Sequence, residues 1–465
     1  MDKTMWEPAR ELPVLDEADI CVLGGSCTGL FAAVRAARIG ARVVIVEQAN
    51  CFGGVATISG VNAWHSLMDT EFRRPIIGGL TQEVVDRLGR RGAVEVVSNS
   101  ASFGFVFNSA ELKIELDELA TESRLSVWFH TTFSAPLVIE GQLSGVVVES
   151  KSGRGVIKAR MFIDATGDGD LCARLPGIET YRSPHPQPAT LTAHFEGWRG
   201  FQKENQASGL NANSKDWELG TLLKAHGEEF GLPQGFTWGT YVPGSDLFML
   251  SGTRVFGADP TDARQLTRAE IEGRRQVRAI HDLLRKYCPE NKLTLESLPS
   301  KIGLRESRHV RCAYQLTGDD VLFGRASDDA VAYGSYRSDV HHHDKPGITL
   351  RYLDGTEEYA VPGQPKQRGR WRPETQQNPT YYQVPYRSLV PRGPYENVLA
   401  AGRMLDADPL AHAAVRVMVN TNQTGEAVGT AAVLALREGK SVGAVEVTRL
   451  RAALQEGGSV FPQNP

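Results

Sequence analysis

A chain of 465 residues is too long for one ordinary hydrophobic core and calls for two or three domains. Its 41% apolar and 23% charged residues are those of a globular protein in water, and a formal net charge of −4 argues against a bulk nucleic-acid binder. The six cysteines, at 21, 27, 51, 172, 288 and 312, form no C-x-x-C pair, which argues against a zinc ribbon or disulfide framework and leads us to expect a reduced, cytoplasmic protein.

The opening MDKTMWEPARELPVLDEAD has no apolar core segment, so no signal peptide is expected. No run approaches the about 18 consecutive apolar residues of a membrane helix, so no membrane partner is expected. Asp19 to Leu23 reads as a buried parallel strand, residues 29–39 as a helix ended by Gly40, and Arg42 to Val46 as a second buried strand ending in Glu47. Together they predict a right-handed βαβ unit. Helices are predicted over 75–91 and 109–124, a small β-meander over 127–162, and another apolar strand over 161–165. From 176 to 390 the texture changes: Pro, Trp, Tyr and His are frequent and loops are long. One helix stands out there, over 267–286, with Thr267 and Glu270 as its capping box and Ile271, Val277, Ile280 and Leu284 as its apolar face. Residues 361–380 read as a surface loop, 397–402 as a final short strand, and 416–438 as a long helix ended by Gly439. The predicted organisation is discontinuous: residues 1–175 and 391–465 make a nucleotide-binding domain, and 176–390 make a second domain across it.

The first strand runs into Gly24-Gly25-Ser26-Cys27-Thr28-Gly29. In a G-x-G-x-x-G fingerprint the first glycine permits the turn, the second lets a pyrophosphate approach, and the third packs helix on strand. Gly24 and Gly29 take the first and third roles and Ser26 stands at the second; its hydroxyl could donate to a phosphate oxygen at a helix N-terminus. Glu47 lies at about the 20-residue distance where an acid accepts from ribose hydroxyls. Gly53 and Gly54 follow in CFGGVAT, bringing Ala56 and Thr57 with them, and FIDATGDGDL supplies a second strand ending at Ala165, Thr166, Gly167 and Asp168.

Taken with these segments, IGLRESRHV, YQLTGDDVL, SDVHHHD, VPYRSLVP, NVLAAGRML and AHAAVRVM resemble, in order and over about residues 18–440, the blocks of an FAD-dependent oxidoreductase family. Its members carry a two-glycine segment after the second strand and are related to glutathione-reductase-type flavoproteins. The resemblance implies an α/β fold, a Rossmann-like FAD-binding domain with an inserted α+β substrate domain, and FAD as cofactor. It places the cofactor against residues 24–29, Glu47, Gly53, Gly54, Ala56, Thr57 and residues 165–168. It also implicates Gly402, Arg403, Arg416 and Val417, where the start of the last long helix and Arg416 would stabilise negative charge near flavin N1 and O2.

Hydride removal from a C–H needs a base for the accompanying proton, and histidine suits neutral pH. His341, in DVHHHD, and His412, just before the flavin-facing helix, are the leading candidates, with His65 behind them. Arg305 or Arg308 could clamp a substrate carboxylate. Alternation places His341 and His343 on one strand face, but no third and fourth ligand is evident and no metal is expected there. The predicted function is oxidation of a small polar molecule by hydride transfer to flavin N5, with oxygen or another electron acceptor closing the cycle. The alternatives are reduction of an activated C=C in the manner of fumarate reductases, hydroxylation, and a non-catalytic flavin-binding protein. No second fingerprint for a pyridine nucleotide appears in 176–390, and a homo-oligomer is left open.

Overall fold

A computed structural model describes residues 4–97, 104–198, 218–235, 237–289 and 292–462. Its centre is a five-stranded, all-parallel sheet in the order Val398–Ala400, Met161–Asp164, Ile20–Leu23, Val43–Val46, Ser126–Trp128. The three innermost strands are buried at every position, as expected of a parallel sheet covered on both faces. Two stretches far apart in the chain therefore complete one sheet. The fingerprint helix, Cys27–Arg38, lies on it and packs on the long C-terminal helix, Met418–Glu438. Small residues permit that approach: a Cβ on Gly425 would lie 2.0 Å from the Thr28 carbonyl oxygen, and one on Gly429 2.2 Å from that of Ala32.

Several predicted elements shift. The helices expected over 75–91 and 109–124 run Gly79–Arg90 and Ser109–Glu122. Ser126–Trp128 leaves the expected meander for the parallel sheet. The meander keeps Thr132–Ile139, Gln142–Ser150 and Gly153–Lys158 and gains an unforeseen edge strand, Val14–Glu17. That strand is too short and too acidic to show alternation.

The helix expected over 267–286 spans Ala263–Tyr287. Its N-cap is Asp262, which accepts from the Arg264 and Gln265 amides at 2.9 Å. Thr267 instead bonds back to the Ala263 carbonyl, Glu270 accepts from the Ile302 amide, and Ile271 is exposed. An earlier cap won because two amides are satisfied by one carboxylate. Val277, Ile280 and Leu284 do pack on a four-stranded sheet of Trp238–Tyr241, Phe248–Ser251, Thr192–Glu196 and Thr294–Ser297. The surface loop expected over 361–380 contains an exposed strand, Gln367–Arg370, paired with Thr356–Ala360. The helix expected over 416–438 runs Met418–Glu438, closed by Gly439 at φ 62°, and an unforeseen short helix, Pro409–Val415, N-capped by Asp408, precedes it. Arg416 and Val417 form the corner between them. Among the described residues no helix is long and apolar enough to cross a membrane.

Candidate active site

The fingerprint turn is built by close packing. Gly24 holds φ +100°, and a Cβ there would lie 2.3 Å from the Ala165 carbonyl oxygen. Glu47 is buried and accepts from the Gly25 amide at 2.5 Å and the Ala49 amide at 2.7 Å, so it ties the turn to the end of the second strand. Ser26 is the N-cap of the fingerprint helix: its hydroxyl accepts from the Gly29 amide at 3.4 Å. No acidic residue occupies the first turn of the helix itself, and the positive end of its dipole suits a phosphate. Gly53 and Gly54 lie against this turn, Gly53 donating its amide to the Gly25 carbonyl at 2.9 Å. Ala56 and Thr57 are buried, and the Thr57 hydroxyl caps the Phe52 carbonyl. Ala165 donates to Leu23, and Thr166 is held by Asp164. Asp168 pairs with Arg403 at 2.6 Å, and Arg403 also donates to the Ser307 hydroxyl at 2.7 Å.

Beyond the turn opens a cleft continuous with solvent, with about 1100 Å³ of empty space when its open mouth is included. Val55, Val61, Ala63, Val417 and Met418 line it on one side, and Thr190, Thr192, Trp238, Leu304 and Ile348 from the second half of the fold line another. Its charged lining consists of Arg305, Arg337, Asp339, Arg403 and Arg416 together with His65 and His341. The excess of guanidinium groups over carboxylates makes it an anion-favouring cleft.

Within it Asp339 is the hub. It accepts from the Tyr336 hydroxyl at 2.9 Å and lies 3.4 Å from His341 Nε2 and 3.6 Å from Arg416 Nη2. Burial opposes its charge, but His341, Arg416 and Arg337 outweigh it and hold the carboxyl far below the usual range. Burial and the Arg305 charge push His341 down to about 3, with Asp339 pulling the other way; the neutral imidazole is the form present at pH 7. Burial and Arg416 push the Arg305 guanidinium down to about 9. One of its nitrogens donates to the Pro188 carbonyl and the Thr190 hydroxyl at 2.7 Å.

Of the residues expected from sequence, Arg305, His341, Arg403, Arg416 and Val417 meet at this cavity, and His65 joins them, its ring 4.0 Å from that of Tyr336. His412 does not line it. Its Nε2 donates to the Arg403 carbonyl at 3.0 Å, inside the protein. Arg308 is also elsewhere, donating to the Asp168 carbonyl at 2.9 Å. Val55, Tyr336, Arg337 and Asp339 also line the cavity and were not among the site residues expected from sequence. The D-x-H spacing carried the signal for Asp339: residues 339 and 341 share one face of a strand.

A family model described as FAD dependent oxidoreductase matches residues 19–454. The chain belongs to the FAD dependent oxidoreductase family. FAD is its cofactor, and it is an enzyme. The residues present fit that cofactor: Arg416 Nε and His65 Nδ1, both on the cavity wall, are buried with no hydrogen-bond partner and would be satisfied by the edge of a polar heteroaromatic ring. Digeranylgeranylglycerophospholipid reductase 2 of Methanothermobacter thermautotrophicus is 27% identical over 175 residues, 35% of this chain and 42% of that protein; the match thus spans under half of that curated relative. Among solved structures, a geranylgeranyl bacteriochlorophyll reductase-like protein of Thermoplasma acidophilum aligns with TM-score 0.46 and 11% identity, covering 95% of this chain and 84% of that one. A myxobacterial chondrochloren halogenase aligns with TM-score 0.45 and 13% identity, covering 95% and 78%.

The cap role of Ser26 yields a graded expectation for this oxidoreductase. Ser26→Gly loses only the cap and should cost roughly a few tenths of a kcal/mol. Ser26→Val loses it too and puts branched methyls where Gly54 approaches; a Cβ on Gly54 would lie 2.8 Å from Ser26 Cβ. Fluorescence titration of apoprotein with FAD should show about tenfold weaker binding for Ser26→Val, the equivalent of ~1.4 kcal/mol. Parent-like affinity for Ser26→Val would place the pyrophosphate elsewhere.

Proposed function

We propose that this FAD dependent oxidoreductase oxidises a small polar molecule bearing an anionic group, and that the cavity around Asp339 is its active site. Residues 24–29 would receive the pyrophosphate, Glu47 the ribose, and Gly53 to Thr57 with residues 165–168, Gly402 and Arg403 the rest of the cofactor. Bound FAD supplies a two-electron acceptor for hydride. Arg305 binds and orients the substrate anion, having donors to spare beyond its contacts to Pro188 and Thr190. His341 takes the substrate proton, and Asp339 orients the ring through Nε2 and stabilises the imidazolium that forms. Arg416 and the start of the Met418–Glu438 helix balance negative charge at the far wall. Residues 176–390 form the substrate domain on this reading, with 1–175 and 391–465 as the cofactor domain. The observation that carries the proposal is the gathering of His341, Arg305 and Arg416 around the buried Asp339 carboxylate in one cavity.

A second reading sends the hydride the other way, from reduced flavin to a different substrate class, an activated C=C. The curated relative, a reductase by name, and the arginine-rich cavity favour it. Anaerobic mixing separates the two. Bleaching of the flavin by hydroxy or amino acids supports oxidation. No bleaching by these donors, together with reoxidation of chemically reduced enzyme by an unsaturated acid, rejects it. Asp339→Asn should slow the productive half-reaction by about tenfold while the protein keeps its FAD. A parent-like rate would remove Asp339 from the proposed positioning role.

A further inference from the structure

Outside the cavity, Glu306, His309 and His412 converge from two segments of the chain, all three buried, with one candidate ligand atom from each lying within 4.8 Å of the others. Their hydrogen bonds settle the tautomers. His309 Nδ1 faces the Leu405 carbonyl at 3.0 Å, and a carbonyl only accepts, so Nδ1 carries the proton. His412 Nε2 faces the Arg403 carbonyl at 3.0 Å and is protonated for the same reason. In the neutral rings the bare nitrogens are therefore His309 Nε2 and His412 Nδ1. The first lies 3.2 Å from Glu306 Oε1. The second is buried with no partner at all. Glu306 Oε2 is engaged separately, accepting from the Gln187 amide at 3.0 Å.

Three converging side chains thus offer two imidazole lone pairs and a carboxylate oxygen, each ligand fixed from behind by a backbone group. That is the arrangement by which proteins orient metal ligands. A separation of 3.2 Å is also what two ligand atoms show when each sits about 2.1 Å from a shared ion. We propose that Glu306, His309 and His412 form a buried site for a divalent transition-metal ion, zinc foremost, with water or another small ligand completing its coordination. Imidazole with carboxylate is a donor set suited to zinc. The alternative, an imidazolium of His309 paired directly with Glu306, accounts for the 3.2 Å contact but leaves the buried Nδ1 of His412 unpaired. The ion would tie the segment after Arg305 to the Pro409–Val415 helix, and so brace the arginine wall of the cavity from outside.

Elemental analysis of the FAD-loaded protein, purified without chelator, tests the site. About one zinc per chain is expected, falling at least tenfold in Glu306→Gln, which keeps the acceptor for Gln187, and in His412→Gln. Should either variant fail to fold, the wild-type chain stripped with dipicolinate and titrated with cobalt(II) serves instead. Visible d–d bands and a raised melting temperature are then expected. A wild-type chain that carries no metal, takes up neither zinc nor cobalt, and melts identically with and without dipicolinate overturns the proposal. So does zinc retained undiminished by both variants.

Discussion

Gly29→Ala is expected to yield protein that purifies with little or no FAD. Gly29 is in the first turn of the fingerprint helix, where a Cβ would lie 1.9 Å from the Gly24 carbonyl oxygen and 3.1 Å from Ala165 Cβ. The obstacle at 1.9 Å is backbone, so no rotamer change relieves it. Either the helix lifts off the Ile20–Leu23 strand or the Gly24 turn opens, and both separate the elements that would cradle the pyrophosphate. Overpacking ordinarily costs about 1–3 kcal/mol, and an obstacle that cannot rotate away belongs at or above the upper end. The Gly369→Ala control lies in the exposed Gln367–Arg370 strand, where an added Cβ meets nothing within 4 Å. It should keep the parent's flavin-to-protein ratio and melting temperature. Gly29→Ala protein that matches the parent in both would show that the turn is not packed this way.

The parts of this fold legible in the sequence are those in which neighbouring residues do the work. Val43 to Val46 is buried throughout because a parallel strand is covered on both faces, and a continuous apolar run records that. Glu47 announces itself by its distance from the glycines. What stayed hidden depends on partners remote in the chain. The Asp262 cap is an exception, with partners two and three residues away, hidden only because Thr267 and Glu270 offered a competing signature. Gln367–Arg370 is a hairpin edge exposed at every position, so no alternation marks it. His341 and His412 are indistinguishable as candidate bases on residue type. The fold separates them by pointing one ring into the cavity beside Asp339 and the other at the Arg403 carbonyl. Tyr336 and Arg337 belong to the site because Ser338–His341 folds back beside Arg416, a contact with no trace in local pattern.

Breaking the Arg35–Glu426 pair should destabilise the fold severely and asymmetrically. Arg35, on the fingerprint helix, contacts Glu426, on the C-terminal helix, and their side chains are 5% and 1% exposed. Arg35 also donates to the Gly457 carbonyl at 2.8 Å. Glu426 accepts from the Leu80 amide at 3.1 Å, at the start of the Gly79–Arg90 helix, whose N-cap Gly78 offers no side-chain cap of its own. One carboxylate therefore joins three helices. Glu426→Gln leaves a guanidinium that cannot shed its proton in a dry interior, and a loss of about 3–5 kcal/mol is expected. Arg35→Met leaves a carboxyl that can take one up. Burial already raises the Glu426 carboxyl above its ordinary value, with Arg35 opposing that rise, so without Arg35 it rises further. A raised folded-state value means the folded protein holds the proton more tightly than the unfolded chain. Stability is then retained below the unfolded value and lost as pH climbs through the folded one. Urea melts across pH should thus show Arg35→Met nearing the parent on acidification within the range that keeps the parent folded, while Glu426→Gln stays weak throughout. Arg35→Met combined with Glu426→Leu should be milder than the sum of the singles, because neither charge is left stranded. Strict additivity, or a pH-independent deficit in Arg35→Met, would mean that water reaches this pair and that the three helices are held together by packing alone.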